Sequence, residues 1–138
     1  MRWGQEQARE RFAKSRVARL ATADASGKPH LVPVTFVTLE DTVAIAVDAK
    51  PKSTSRLKRL RNIEENPQVT LLADEYSDDW EHLWWVRADG HARVVHGDVE
   101  WWDARERLVG RYPQYRREPP EGVIILVTVA RWSGWSFR

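Results

Sequence analysis

The spacing of the apolar runs constrains this chain more tightly than any other feature of its sequence. Val17 to Ala23, His30 to Thr38 and Val43 to Val47 follow one another across short gaps, filled by Asp24-Ala25-Ser26-Gly27-Lys28 and by Glu40-Asp41. Parallel strands need a crossover of roughly a dozen residues or more, so gaps this short force antiparallel pairing. Asp, Ser and Gly in the first gap are hairpin-turn residues. Val69 to Ala73, Leu83 to Val95 and Val123 to Ala130 complete six predicted strands, the fifth interrupted at Asp89-Gly90 by a tight turn or a bulge. Val43 to Val47 has no polar position, which marks a strand buried on both faces. Pro33 has no N–H, so its strand belongs at an edge, at a bulge, or beside backbone left open for a ligand.

Three helices fit between these runs. Gly4 to Ser15 carries Ala8 and Phe12 at i, i+4. Ser53 or Thr54 is placed to cap a second helix bearing Leu57, Leu60 and Ile63, which Asn66-Pro67 stops. Asp98 caps a third, with Trp101, Trp102, Arg105, Leu108 and Val109 on one face and Pro113 at its end, and Arg116 to Pro120 reads as loop. The expected fold is mainly β (α+β): a six-stranded antiparallel split β-barrel with three flanking helices, formed by residues 1–138 as one domain.

Composition narrows the function. The 138 residues contain no Cys, which excludes disulfides, thiol nucleophiles and thiolate metal sites. The apolar runs fall far short of the ~20 residues that cross a bilayer, so a soluble, cytoplasmic protein with no membrane partner is expected. A net charge of +2 argues against a nucleic-acid binder. The four His residues lack metal-ligand spacing, and no nucleotide-binding or hydrolase motif is present. No side chain stands out as a catalytic acid, base or nucleophile, which points to chemistry carried by a cofactor. Eight Trp are more than one small core hides, so some should line a groove or an interface.

The segment from Lys50 to Arg61 holds six cations, three hydroxyls and no acid around a predicted helix start. Cations at that end oppose the helix dipole unless an anion compensates them, and hydroxyls beside free N–H groups suit a phosphate. Trp84-Trp85 on the fifth strand must face opposite ways, one inward and one outward. A binding module using this basic segment on an anion or a nucleic acid is a further reading.

The order Gly27-Lys28-Pro29-His30-Leu31-Val32-Pro33-Val34, then Lys50-Pro51-Lys52, then Arg59-Leu60-Arg61-Asn62-Ile63 with Asn66-Pro67, then Trp84-Trp85-Val86-Arg87-Ala88-Asp89-Gly90 resembles the pyridoxamine 5'-phosphate oxidase-like split-barrel proteins. It looks most like their branch that uses the deazaflavin coenzyme F420. The resemblance implies a homodimer with two cofactors in grooves between the subunits. It matches the cofactor's phosphate anchor to Ser55, Lys58 and Arg59, with Lys50 and Lys52 in the preceding loop and Arg61 beside them. The cofactor ring would lie against Val32, Pro33, Val34 and Thr35, with Trp85 and Trp135 as walls. The flavin-mononucleotide oxidases of the family carry an Arg on the second strand, absent from His30 to Phe36 here, and a polar residue where Trp85 stands. These departures favour F420 over FMN. The expected function is hydride transfer between F420 and a small, conjugated substrate, with an FMN- or haem-binding protein of the same fold as the alternative.

Overall fold

The structure is a computed structural model that describes residues 1–47 and 57–138. Its sheet contains β1 (Arg2–Trp3), β2 (Ala18–Ala23), β3 (Pro29–Val34), β4 (Val37–Leu39), β5 (Thr42–Ala46), β6 (Gln68–Glu75), β7 (Trp84–Val95) and β8 (Ile124–Ser136). The helices are α1 (Gln5–Lys14), α2 (Lys58–Glu65), α3 (Val99–Arg111) and α4 (Pro113–Arg117), with a 3₁₀ turn at Trp80–His82. Every pairing is antiparallel, in the order β3-β2-β6-β7-β8-β5-β4, with β1 added to β8.

The two end strands of that order are consecutive in sequence. Only Thr35 and Phe36 separate β3 from β4, so Val34 and Val37 lie within roughly 11 Å of each other along the chain. The sheet must therefore curl until its edges nearly meet, which makes it a split barrel. One run predicted from His30 to Thr38 is thus two strands, broken where the chain crosses from one edge to the other.

Alternation along the strands sorts residues to the two faces. Val32, Leu20, Leu71, Ala88 and Trp132 lie in one register row and face inward. Phe12 of α1 plugs this interior, fully buried, with its ring 4.7 Å from Phe36 and 5.3 Å from Trp132. The outer face of β5 and β8 is covered by Trp101, Ala104 and Leu108 of α3, packed on Ala44, Ile124 and Leu126. That second layer explains why Val43, Ala44 and Ile45 are all buried.

Several boundaries differ from those read off the sequence. There are eight strands rather than six, because the N-terminal β1 forms and the second run divides. β8 continues to Ser136, since β7 pairs with Trp132 to Ser136 on one side and β1 with Gly134 and Trp135 on the other, despite their Ser and Gly content. β6 runs past its expected end at Ala73 through Asp74 and Glu75, and the 3₁₀ turn at Trp80–His82 follows before β7. Pro113 ends α3 but also starts α4, where its missing N–H costs nothing. Trp102 is 56% exposed, so the buried face of α3 is Trp101, Ala104 and Leu108. Leu57, extended at φ −61° and ψ 145°, occupies the N-cap of α2; Ser53 and Thr54 lie outside the described residues. At Asp89/Gly90 the β7–β8 register shifts, so that break is a bulge. A Cβ on Gly90 would sit 2.2 Å from the Thr128 carbonyl oxygen, which only glycine avoids.

Candidate functional site

The β2–β3 turn and α2 form one polar corner. Asp24 Oδ1 accepts from the Ser26 amide (2.9 Å), the Ser26 hydroxyl (2.7 Å) and the Lys28 amide (2.9 Å). These bonds, that of the Ser26 hydroxyl foremost, hold its carboxyl down at about 2. The turn is strapped to both ends of α2: Lys58 Nζ lies 3.7 Å from Asp24 Oδ2, and the Ala25 amide donates to Glu65 Oε1 at 3.0 Å. Between them, Asn62 Nδ2 donates to Thr22 Oγ1 at 3.0 Å.

Lys58 and Arg59 occupy the first two positions of α2, whose first turn carries no acid. Arg59 shares the inward face with Asn62 and Ile63 at i, i+3 and i+4. Its guanidinium is half-buried, and desolvation lowers its pKa, with no carboxylate among the described residues acting on it. Its Nε is buried without a hydrogen-bond partner. Two more buried atoms in this corner lack partners: Asn62 Oδ1, and Nδ1 of His30, which stands opposite Thr22 in the β2–β3 register. Burying polar atoms unpaired is costly, and three together point to a ligand or water that completes them. Arg61 is exposed, and Lys50, Lys52 and Ser55 lie outside the described residues.

Among the described residues β3 beside this corner pairs only with β2, and no strand of them pairs with its other edge. Val32 and Val34 turn inward, while Pro33 and Leu31 face out, Leu31 being 66% exposed. Thr35 lies past the strand end, in the crossing to β4. There its hydroxyl meets the Tyr115 hydroxyl at 2.9 Å. Phe36 finds its partners on the α3–α4 corner: its amide donates to Tyr112 Oη (3.1 Å) and its carbonyl accepts from Arg111 Nη1 (2.9 Å) and Tyr112 Oη (2.8 Å). Arg111 also donates to the Ser15 carbonyl. The sequence gives no local sign of this clasp, because its partners are more than seventy residues apart.

The outer face carries the remaining expected residues. Trp84 turns inward, stacked on Trp3 with Arg11 over its ring, while Trp85 turns outward in register with Asp74 and Trp135. A groove of about 320 Å³ opens here, lined by Leu72, Asp74, Tyr76, Leu83, Trp84, Trp85 and Arg87. Leu72 also shares a register row with Arg19 and Pro33, so the groove and β3 lie on the same face of the sheet. Sequence reading found Trp85 but missed Leu72, Tyr76 and Leu83, which only the fold gathers. It also gave His30 no part in a site, having found only that the four His residues lack metal-ligand spacing. Among the described residues no cluster of His, Asp or Glu is arranged to hold a metal, and no helix is long and apolar enough to cross a membrane.

Residues 5–136 match the family model of pyridoxamine 5'-phosphate oxidase. The chain belongs to that family. Solved structures agree on the fold. An FAD-binding protein from Mesorhizobium loti superposes with a TM-score of 0.73 at 17% identity, covering 97% of this chain and 95% of its own. The FAD-binding protein from Mycobacterium smegmatis gives 0.68 at 18%, with 100% and 98% covered. HutZ, the haem storage protein of Vibrio cholerae, gives 0.72 at 18%, with 97% and 95% covered. No curated protein matches the sequence. The split-barrel architecture of the family is thus the fold of this chain.

Proposed function

We propose that this family member is an F420-dependent oxidoreductase acting on a small conjugated substrate, and that it works as a cytoplasmic homodimer. Arg59 carries the proposal: a half-buried guanidinium on the first turn of α2 that no carboxylate compensates among the described residues. A cation desolvated in this way is stabilised by an anion, and a phosphoryl group accepts hydrogen bonds from guanidinium in a matching geometry. The orphaned Arg59 Nε fits that group.

In this reading Lys58 and Arg59, with Lys50, Lys52, Ser55 and Arg61 of the same basic stretch of sequence, hold the phosphate and acidic tail of the coenzyme. The open edge of β3 from Val32 to Thr35 orients the ring, and Pro33 narrows the choice of backbone donors there. Reduced F420 supplies a hydride when bound. Trp85 and Trp135 wall the ring from water. The outward strip of Leu31, Pro33, Leu72, Trp85 and Trp135 is the surface on which a second subunit would close the groove.

Titration of the purified chain with oxidised F420 and with FMN, read by tryptophan quenching, tests the reading. F420 is expected to saturate at concentrations where FMN does not. Arg59→Gln should weaken F420 by about 1.5–3 kcal/mol, roughly 10- to 100-fold, the scale of a hydrogen bond to a charged group. Equal or tighter binding of FMN, or unchanged F420 affinity in the variant, overturns it. The FAD-binding and haem-storage neighbours favour a second reading, a flavin or haem protein of the same fold. A flavin spectrum or a Soret band in the purified protein would establish that one instead.

A further inference from the structure

We propose that Tyr115 of α4 is a positioning residue for the coenzyme ring and acts through the hydroxyl of Thr35. The place of the ring, along Val32 to Thr35, rests on the proposed function; the rest stands on the structure. That stretch is poor in donors. Val32, Pro33 and Val34 have apolar side chains, and Pro33 has no N–H. Thr35 therefore carries the one polar side chain of the stretch, just past the end of β3 where the chain crosses to β4. Tyr115 packs against the layer that α3 lays on the outside of the sheet, so its contact holds the Thr35 hydroxyl on the outer side. Leu31 and Pro33 face the same way.

Two tyrosines of one corner hold this crossing, and they hold different things. Tyr112 Oη is committed to main chain: it accepts from the Phe36 amide and meets the carbonyls of Phe36 and Arg16 at 2.8 and 3.0 Å. That already fixes the backbone of the link. Tyr115 Oη meets the Thr35 hydroxyl at 2.9 Å, its sole partner among the described residues. A bond between two side chains adds little to the backbone path; it settles the rotamer of Thr35 and the direction of its proton. α4 holds the phenol steady. The Tyr115 amide donates to the Tyr112 carbonyl at 3.1 Å, and the two rings meet edge to face at 5.6 Å. Arg116 Nη1 fastens the helix to the last turn of α3, donating to the carbonyls of Val109 (3.3 Å) and Gly110 (3.1 Å).

Acidity sets the direction of the bond. A phenol is a stronger acid than an aliphatic alcohol, so Tyr115 donates and Thr35 accepts. The Thr35 proton is then free for an acceptor outside the pair, and a hydroxyl that accepts one bond donates another more strongly. The pyrimidine edge of a flavin or deazaflavin carries carbonyl oxygens, which suit such a donor. Thr35 supplies the hydrogen bond that Pro33 cannot. Because its hydroxyl is oriented before the ring arrives, little rotamer freedom is lost on binding.

Titration of the full chain and its variants with oxidised F420 and with FMN tests the proposal. Affinity is read by tryptophan quenching, and the hydrogen bond to the ring by the shift of the coenzyme's visible absorption on binding. Thr35→Val should weaken binding about tenfold and remove the part of the shift due to that bond, while Thr35→Ser keeps both. Tyr115→Phe should weaken binding about threefold and diminish the shift, with the hydroxyl of Thr35 present but no longer oriented. In the Thr35→Val background, Tyr115→Phe should add nothing, because its effect passes through Thr35. Urea denaturation of each variant separates this role from support of the fold. A Tyr115→Phe chain that loses stability but keeps the parent's affinity and absorption overturns the assignment, as do additive losses in the double variant. A chain that binds FMN and not F420, with these variant effects, refutes the proposed function and keeps this inference. F420 binding that no variant alters refutes this inference alone, and failure to bind either ring refutes both.

Discussion

Arg59 and Arg111 are the same residue in nearly the same predicament, and the fold treats them differently. Each is half-buried, each has its pKa lowered chiefly by desolvation, and neither has a carboxylate partner among the described residues. Arg111 is nevertheless complete: it donates to the carbonyls of Phe36 and Ser15 and lies over the rings of Phe36 and Tyr112, at 5.0 and 5.3 Å. Among the described residues Arg59 makes no such contact, and its buried Nε is unpaired. Equal burial therefore separates into two roles. One guanidinium supports the fold, and the other has no such partner among the described residues, which is what the proposed phosphate would supply.

The largest expected effect that distinguishes them is on stability. Arg111→Met should destabilise the chain by about 2–4 kcal/mol, since two carbonyls lose charge-assisted bonds at once. Tyr112→Phe removes the hydroxyl shared by the Phe36 amide and carbonyl and should cost about 1–2 kcal/mol. Arg59→Gln, read by the same urea denaturation, should shift stability by less than about 0.5 kcal/mol while it weakens the coenzyme. A loss at Arg59 as large as that at Arg111 would erase the contrast. The smallest effect concerns the turn beside Arg59. The folded pKa of Asp24 lies at about 2 against an ordinary 3.8, so its contribution is complete above 3.8 and is lost as pH falls through 2. The stability of Asp24→Asn should accordingly fall less steeply than that of the parent between pH 4 and pH 2.

The sequence reveals one of these corners and hides the other for a physical reason. The basic run containing Arg59 is local, so charge and spacing expose it. Local pattern could not tell Lys58, which the fold pairs with Asp24, from Arg59, which it leaves unpaired. The Arg111 clasp joins residues 75 and 96 positions apart, and nothing around Gly110-Arg111-Tyr112-Pro113 hints at them. Antiparallel order and the opposed faces of Trp84 and Trp85 were legible because gap length and a two-residue period determine them, whereas Asp89-Gly90 read as a tight turn or a bulge until the strand register settled it. Three boundaries were not. The Ser53-Thr54 hydroxyls suggested a cap, but the backbone at Leu57 is extended and brings that side chain to the core. The last strand reads as ending at Ala130, but pairing of Ser133 and Gly134 with β7, and of Gly134 with β1, carries it on to Ser136. The break at Thr35-Phe36 has no composition of its own, because sheet closure demands it rather than the residues.

The crossing at Phe36 has a consequence for how the barrel opens. Its amide belongs to no strand ladder, yet it is buried and bonded to Tyr112 Oη, in a fully buried residue that touches the plug at Phe12. Amides in short connections usually exchange with solvent through local fluctuations. This one can be released only by parting the α3–α4 corner from the sheet and withdrawing Phe36 from the interior. Its hydrogen exchange should therefore keep pace with that of the central strands, so that a two-residue link reports the cooperative unfolding of the whole barrel.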